Sequence, residues 1–272
     1  MKTDFFAGCQ VDYIKLTKSY TMRTPHTHDY YEIYFLVDGN RRYFLANKIC
    51  NVLPYDVFII KPGEPHQNTC EADQPYERYL LNIDAQLMKA ICRENKEVAC
   101  FTDTDFLRLE KEVFREVIRL VKEIKSEIYL KDSLSPSVIK NMVSKILLLL
   151  LRAKRSPNHE PHLTEKNDIR LQSSIDYLLS NYNEPITLED CAKIACMSPS
   201  HFSRLFHSLT SMTFKEYLNK IRIEKACELL YRDDYSVTEL SLAVGFNSSS
   251  YFGHVFKEQT GMTPLAFRKS IK

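Results

Sequence analysis

Four residues able to donate electron pairs to a cation, or to bond a polar ligand, sit in two short strings: His26, His28 and Glu32 in HTHDYYE, and His66 in PGEPH. Their spacing is H-x-H-x3-E-x6-G, ending at Gly39, with G-x2-H following from Gly63. His26, His28, Tyr30, Glu32 and Tyr34 share parity, so on a continuous strand all of them face one side. Two chemistries suit that face. Imidazole and carboxylate can hold a divalent transition metal, with positions left for water or substrate. Alternatively, the face is a metal-free polar pocket, in which tyrosine rings stack on a sugar and polar tips bond its hydroxyls.

A second polar set belongs to an internal repeat. Residues 187–218 and 237–268 align with an offset of 49 before a turn and 50 after it, so that Phe202, Phe206, Thr210, Met212 and Thr213 recur as Phe252, Phe256, Thr260, Met262 and Thr263. Each copy reads as a helix, a tight turn and a second helix, a unit that places its second helix in the DNA major groove. In the first copy Thr187 caps one helix, and Ser198 before Pro199 caps the next. Phe202, Leu205, Phe206 and Leu209 take the core positions, leaving Ser200, His201, Ser203 and Arg204 outside. The matching outward residues of the second copy are Ser249, Ser250, Tyr251, Gly253 and His254, with Gly245 permitting the turn. Between the copies, residues 214–231 read as a rod of roughly 27 Å, long enough with its turns to set two recognition helices about one DNA turn apart. Arg222 on this rod reads as structural.

Other elements must position these sets. Residues 20–83 carry short aromatic and β-branched runs broken by turn residues, the pattern of a β-sandwich or barrel. After Asp103-Thr104-Asp105, read as helix N-caps, apolar residues from Leu107 to Ile128 recur at helical spacing, and a second helix starts near Pro136. The second helix is apolar almost all round at 146–151, which suits packing on the sandwich and a homodimer interface alike. Residues 153–167 are polar, contain two prolines and read as a linker. The expected organisation is an effector domain at 1–102, a helical hairpin at 103–153, a linker at 154–168 and an all-α domain at 169–272.

Composition bounds the answer without deciding it. The 272 residues are 44% hydrophobic and 26% charged, with only six glycines and a net charge of +2. From residue 169 onward 12 basic residues face 11 acidic ones, so charge alone does not indicate nucleic acid. Eight cysteines without a C-x-x-C pair read as reduced, buried thiols. The N-terminus has no apolar core of signal-peptide length, and no run approaches the roughly 20 apolar residues of a membrane span. A cytoplasmic protein with no membrane partner is expected.

The strings MSPSHFSRLFHSLTSMTFKEYL, RIEKACELL and VGFNSSSYFGHVFKEQTGMTPLAFR, in that order, resemble the AraC/XylS-type DNA-binding domain. The resemblance implies that Ser200, His201, Ser203 and Arg204 face one major-groove segment of an operator and that Ser249, Ser250, Tyr251, Gly253 and His254 face the next. Gly253 and His254 stand where serine and arginine are frequent in that family. The N-terminal strings resemble the two cupin motifs, whose three histidines and one glutamate hold a divalent metal in a jelly roll. Tyr55 and Asp56 depart from that pattern where glycine is usual, and Cys70 where asparagine often closes it. Sensory domains joined to AraC-type DNA-binding domains keep such strings as metal-free receptors, so no cofactor and no metal are expected. The expected fold is α+β: a cupin-like jelly roll with a helical hairpin, then two helix-turn-helix motifs. The expected function is a dimeric, non-enzymatic regulator of transcription, contacting RNA polymerase if it activates. Its effector, bound by His26, His28, Tyr30, Glu32, Tyr34 and His66, is expected to be a saccharide. The alternative is a metal-dependent cupin enzyme or metal sensor fused to a DNA-binding domain.

Overall fold

A computed structural model describes residues 5–16, 26–69, 75–102, 104–155, 166–232 and 235–271; Cys70, Asp103 and most of the expected linker lie outside them. The chain divides into two compact units, Met1–Leu163 and Thr164–Lys272.

The first unit runs β1 (Cys9–Leu16), β2 (Tyr31–Asp38), β3 (Arg41–Leu45), β4 (Lys48–Val52), β5 (Asp56–Ile60), β6 (His66–Thr69) and β7 (Tyr76–Ile83). It continues with α1 (Ala85–Glu94), a 3-10 turn, β8 (Asp105–Arg108), α2 (Lys111–Leu130) and α3 (Ser135–Lys154). The strands form a five-stranded sheet ordered β1-β7-β2-β5-β8 and a three-stranded sheet ordered β4-β3-β6. Register decides which side chains meet. Glu32 lies opposite Asn82, Tyr34 opposite Leu80 and Leu36 opposite Arg78, and alternation sends this set toward the smaller sheet. There Tyr34, Leu36, Phe58 and Ile60 pack against Tyr43, Leu45, Cys50 and Val52. The opposite parity, including Ile33, Phe35, Leu81 and Ile83, packs against Phe114, Val117, Ile146 and Leu150 of the helices. Each large side chain so enclosed contributes about 1.5–3 kcal/mol.

Three features depart from the sequence reading. β1 and α1 were not expected as elements, and Asp105 begins a strand rather than capping a helix. Phe106 turns to the sandwich interior and Leu107 to the helix-side core, a period of two that a helical reading cannot satisfy. Arg108 then clamps the buried Asp56 through Nε at 2.7 Å and a second nitrogen at 3.0 Å, and α2 starts only at Lys111. Tyr55 adopts φ of +78°, the left-handed conformation that explains a glycine preference at this point of the turn. Of the apolar run on α3, Ile146, Leu147, Leu150 and Leu151 enter the core while Leu148 stays exposed.

The second unit is helical: α4 (Lys166–Asn181), α5 (Leu188–Ile194), α6 (Pro199–Thr210), α7 (Phe214–Arg232), α8 (Val237–Ala243), α9 (Ser249–Thr260) and α10 (Pro264–Ile271). No described helix is long and apolar enough to cross a membrane.

Candidate functional site

The repeat is reproduced bond for bond. Thr187 with Asp190, and Ser236 with Glu239, each close a reciprocal capping box at the start of the first helix. Ser198 and Ser248 cap α6 and α9 by accepting from the backbone N–H of His201 and Tyr251. At the far ends the Thr210 hydroxyl donates to the Phe206 carbonyl at 2.8 Å, and the Thr260 hydroxyl to that of Phe256 at 2.7 Å. Phe202 and Phe206, like Phe252 and Phe256, are buried, which fixes the rotation of each second helix and leaves its opposite face to solvent.

On α6 that face presents Ser200, Ser203 and Arg204 as exposed side chains, with His201 half-buried. Among the described residues Arg204 has no hydrogen-bond or ion-pair partner, so its planar fork of donors is available to a base edge or phosphate. On α9, Ser249, Ser250 and His254 are exposed and Gly253 is half-buried. Tyr251 is 42% exposed, but its hydroxyl accepts from Asn219 Nδ2 on α7 at 3.1 Å and its ring lies 5.9 Å from that of Phe246. Tyr251 therefore also braces α9. Arg222 is structural: it donates to the carbonyls of Tyr182 and Glu184 at 2.7 and 2.8 Å and lies over the Phe246 ring.

In the first unit the histidines converge by a route other than one continuous strand. β2 begins only at Tyr31; His26 and His66 instead exchange both backbone hydrogen bonds at 3.2 Å, and Gly63 N–H donates to the His28 carbonyl at 2.8 Å. The potential ligand atoms of His26, His28 and His66 lie within 4.8 Å of one another. Glu32, fully enclosed, places Oε2 3.7 Å from His28 Nε2 and Oε1 3.8 Å from His66 Nε2. Those gaps are too long for hydrogen bonds. Burial raises the Glu32 carboxyl to about 7 and lowers His66 to about 3, and it also lowers His26 and His28. The imidazoles are thus neutral at pH 7. Tyr30 stacks on His28 with ring centroids 4.1 Å apart, and Tyr34 packs edge-on to Tyr43 at 5.2 Å.

The sandwich interior also holds polar residues that sequence reasoning missed. Arg41 is 1% exposed, its guanidinium lies 3.3 Å from the Tyr76 ring centroid, and among the described residues none of its three nitrogens has a hydrogen-bond partner. Arg78 reaches Asp12 at 3.2 Å through one nitrogen and, among the described residues, leaves another without a hydrogen-bond partner. A buried unpaired donor costs about 1–3 kcal/mol, more when charged, so these groups suit a ligand that brings acceptor oxygens. The available signal was parity: Arg41 shares a strand face with Tyr43 and Leu45.

A family model described as an AraC-like ligand binding domain matches residues 10–165, more than half of the chain, and one described as a helix-turn-helix domain matches residues 191–270. The HTH-type transcriptional activator RhaR of Enterobacter sp. (strain 638) is 25% identical, over 98% of this chain and 95% of its own length. The raffinose operon transcriptional regulatory protein RafR of Pediococcus pentosaceus is 24% identical, over 93% and 90%. An apo crystal structure of a ToxT variant from Vibrio cholerae strain SCE256 is 16% identical and covers 97% of this chain and 98% of that one, with a TM-score of 0.42. Both sequence relatives are named as regulators of transcription. With one model matching the sandwich and its helical hairpin, and the other the helix-turn-helix region, the chain belongs to the AraC family of transcriptional regulators: it pairs a ligand-binding unit with a DNA-binding one and is not an enzyme.

Proposed function

We propose that this regulator reads an operator with the outward faces of α6 and α9, in two successive major-groove segments per protomer, under control of a saccharide bound inside the β-sandwich. It acts as a homodimer in the cytoplasm. Effector binding shifts how the DNA-binding units of the dimer engage their half-sites together. The observation that carries the DNA half is the duplicated cap-and-core pattern, which leaves Ser200, Ser203, Arg204, Ser249, Ser250 and His254 exposed on the second helix of each copy. For the effector, support comes from the interior, where tyrosine rings, unpaired guanidinium donors and amide side chains suit a polyhydroxylated molecule. RafR is named for a saccharide operon, in keeping with that chemistry.

The test is footprinting of the full chain on DNA flanking its own gene, with and without a panel of mono- and oligosaccharides. The expected result is protection over two adjacent helical turns per protomer that strengthens, weakens or shifts with one saccharide. Protection limited to a single turn would overturn the two-groove arrangement. A footprint indifferent to every sugar, together with an unchanged thermal transition, would overturn the saccharide assignment.

A further inference from the structure

We propose that the effector is a sugar acid: a polyhydroxylated molecule with one carboxylate, which Arg41 and Arg78 receive inside the β-sandwich. The proposal rests on the reading that a saccharide occupies this interior, and adds to it a charge and an orientation.

Arg41 pairs with Val52 in the smaller sheet and Arg78 with Leu36 in the larger one. Val52 and Leu36 belong to the core between the sheets, so both arginines point into it. Both charges reach Tyr34, whose hydroxyl burial pushes up while Arg78 and Arg41 pull it back. Counter-charge is short there. Asp12 lies 3.2 Å from Arg78, but among the described residues no carboxylate pairs with Arg41. Burial raises the Glu32 carboxyl to about 7 and keeps the three histidines neutral. One enclosed positive charge is left over. A neutral sugar brings acceptor oxygens without the charge, and a phosphate monoester, at about −1.5 to −2, overshoots it. A carboxylate matches it. Tyr76 covers one face of the Arg41 guanidinium, with the ring centroid at 3.3 Å, which leaves the in-plane edge where a planar carboxylate bonds two nitrogens at once.

The hydroxyl half of the ligand follows from acceptors in the same interior. Asn82 gives Nδ2 to Gln10 at 2.9 Å, while its Oδ1 and that of Asn68 are buried without a donor among the described residues. Asn82 lies opposite Glu32 and Asn68 opposite Tyr43. His28 Nδ1 lies 2.7 Å from the Tyr30 carbonyl oxygen and His66 Nδ1 lies 3.0 Å from that of Glu64. A carbonyl only accepts, so each Nδ1 carries the proton and each buried Nε2 is a bare acceptor. A simple carboxylate has no proton to give these atoms, and a neutral polyol has no charge to give Arg41. A hydroxylated acid has both. Register sets its direction: Asn82 faces Glu32, and Arg78 faces Leu36 four residues further along β2, so the hydroxyls lie toward the histidines and the carboxylate toward the arginines.

The experiment measures thermal shift and calorimetric binding on the full chain with matched probes: glucose against glucuronate and glucose 6-phosphate, galactose against galacturonate, and acetate and benzoate as carboxylates without hydroxyls. Expected is a uronate that raises the transition by several degrees and binds roughly tenfold or more tighter than its neutral partner. Arg41→Met abolishes that preference, Arg41→Lys keeps part of it, and Arg93→Gln, on the exposed end of α1, leaves it unchanged. A neutral hexose that binds as well as its uronate overturns the acid while leaving a saccharide in the sandwich. A response to acetate or benzoate but to no sugar overturns the saccharide reading as well. Preference for the phosphate, or no response to any probe, overturns the proposal. So does full uronate affinity in Arg41→Met that circular dichroism shows to be folded.

Discussion

Arg222 Nε donates to the Tyr182 carbonyl at 2.7 Å, tying the rod between the two helix-turn-helix units to the loop after α4. A second donation, to Glu184, and the stacking over Phe246 extend the tie to the turn of the second unit. Removing a charged donor deprives the Tyr182 carbonyl of its bond, while the Glu184 carbonyl keeps the Ile186 N–H at 2.9 Å, so Arg222→Ala should destabilise the DNA-binding unit by about 2 kcal/mol. Arg222→Lys, with a single point of donation, should recover only part of this. Thermal unfolding of the full chain measures both, and equal stability of all three proteins would refute the brace.

The same junction imposes a glycine. Gly245 has φ of +89°, and a Cβ there would meet the Asn183 carbonyl oxygen at 2.7 Å. Gly245→Ala therefore meets both left-handed strain and backbone contact, and should cost more than 2 kcal/mol while weakening DNA binding through displacement of α9. Its counterpart in the first copy is Cys196, at φ of +51° and exposed. Cys196→Gly should stabilise the protein by up to about 1 kcal/mol by relieving strain without loss of packing. Opposite signs at two aligned positions are the measurable outcome.

These junctions show how much of the fold was legible in the chain. The repeat was readable because its signals are local: a capping residue, its partner three positions on, and phenylalanines one turn apart lie within one helix and its cap. Arg222 as a brace followed from residue type, whereas His26, His28 and His66 meet through backbone pairing outside the continuous strand that their parity had implied. β1 and β8 were not legible, since their partners β7 and β5 lie far along the chain and nothing in CQVDYIKL or DFLR names them. Buried Arg41 was hidden for a related reason, because an arginine on a strand is read as solvated until the second sheet covers it.

Arg204 on α6 and Tyr251 on α9 should respond differently to substitution. Arg204 is exposed and unpartnered among the described residues, so Arg204→Ala should leave stability within about 0.5 kcal/mol and cost about 1–3 kcal/mol in specific DNA binding. Tyr251→Phe removes the acceptor for Asn219 and should lower stability by about 1 kcal/mol. Fluorescence anisotropy on a footprinted site, paired with thermal unfolding, separates the two. An affinity unchanged by Arg204→Ala would remove it from the DNA interface.

Acid should loosen the first turns of α5 and α8. The Thr187 hydroxyl and backbone N–H hold Asp190 below its ordinary 3.8, and the Ser236 side chain and backbone hold Glu239 below its ordinary 4.5. A carboxylate with a depressed folded value stabilises fully above its ordinary value and loses that contribution as pH falls through the folded one. Asp190→Asn with Glu239→Gln should therefore unfold earlier than the parent at pH 7, and the gap should narrow below pH 4 as the parent boxes protonate. A gap that stays constant across that range would exclude the carboxylate charges as its source.

Arg41 allows stability and ligand response to be separated. Its guanidinium is enclosed and stacked on Tyr76, yet among the described residues its donors lack acceptors, and an uncompensated buried charge is expensive. Replacing such a group by an apolar side chain of similar length is commonly neutral or stabilising by about 1–4 kcal/mol. Arg41→Met should accordingly raise the unfolding temperature of the ligand-free protein. If the cation exists to receive acceptor oxygens of the effector, the same substitution abolishes the further rise that an effector produces. Both changes appear in one thermal-shift experiment with and without the saccharide identified by footprinting. A lower unfolding temperature with the effector response intact would instead make the stacking on Tyr76 the reason for the arginine, and would place effector recognition on the remaining polar groups of the sandwich.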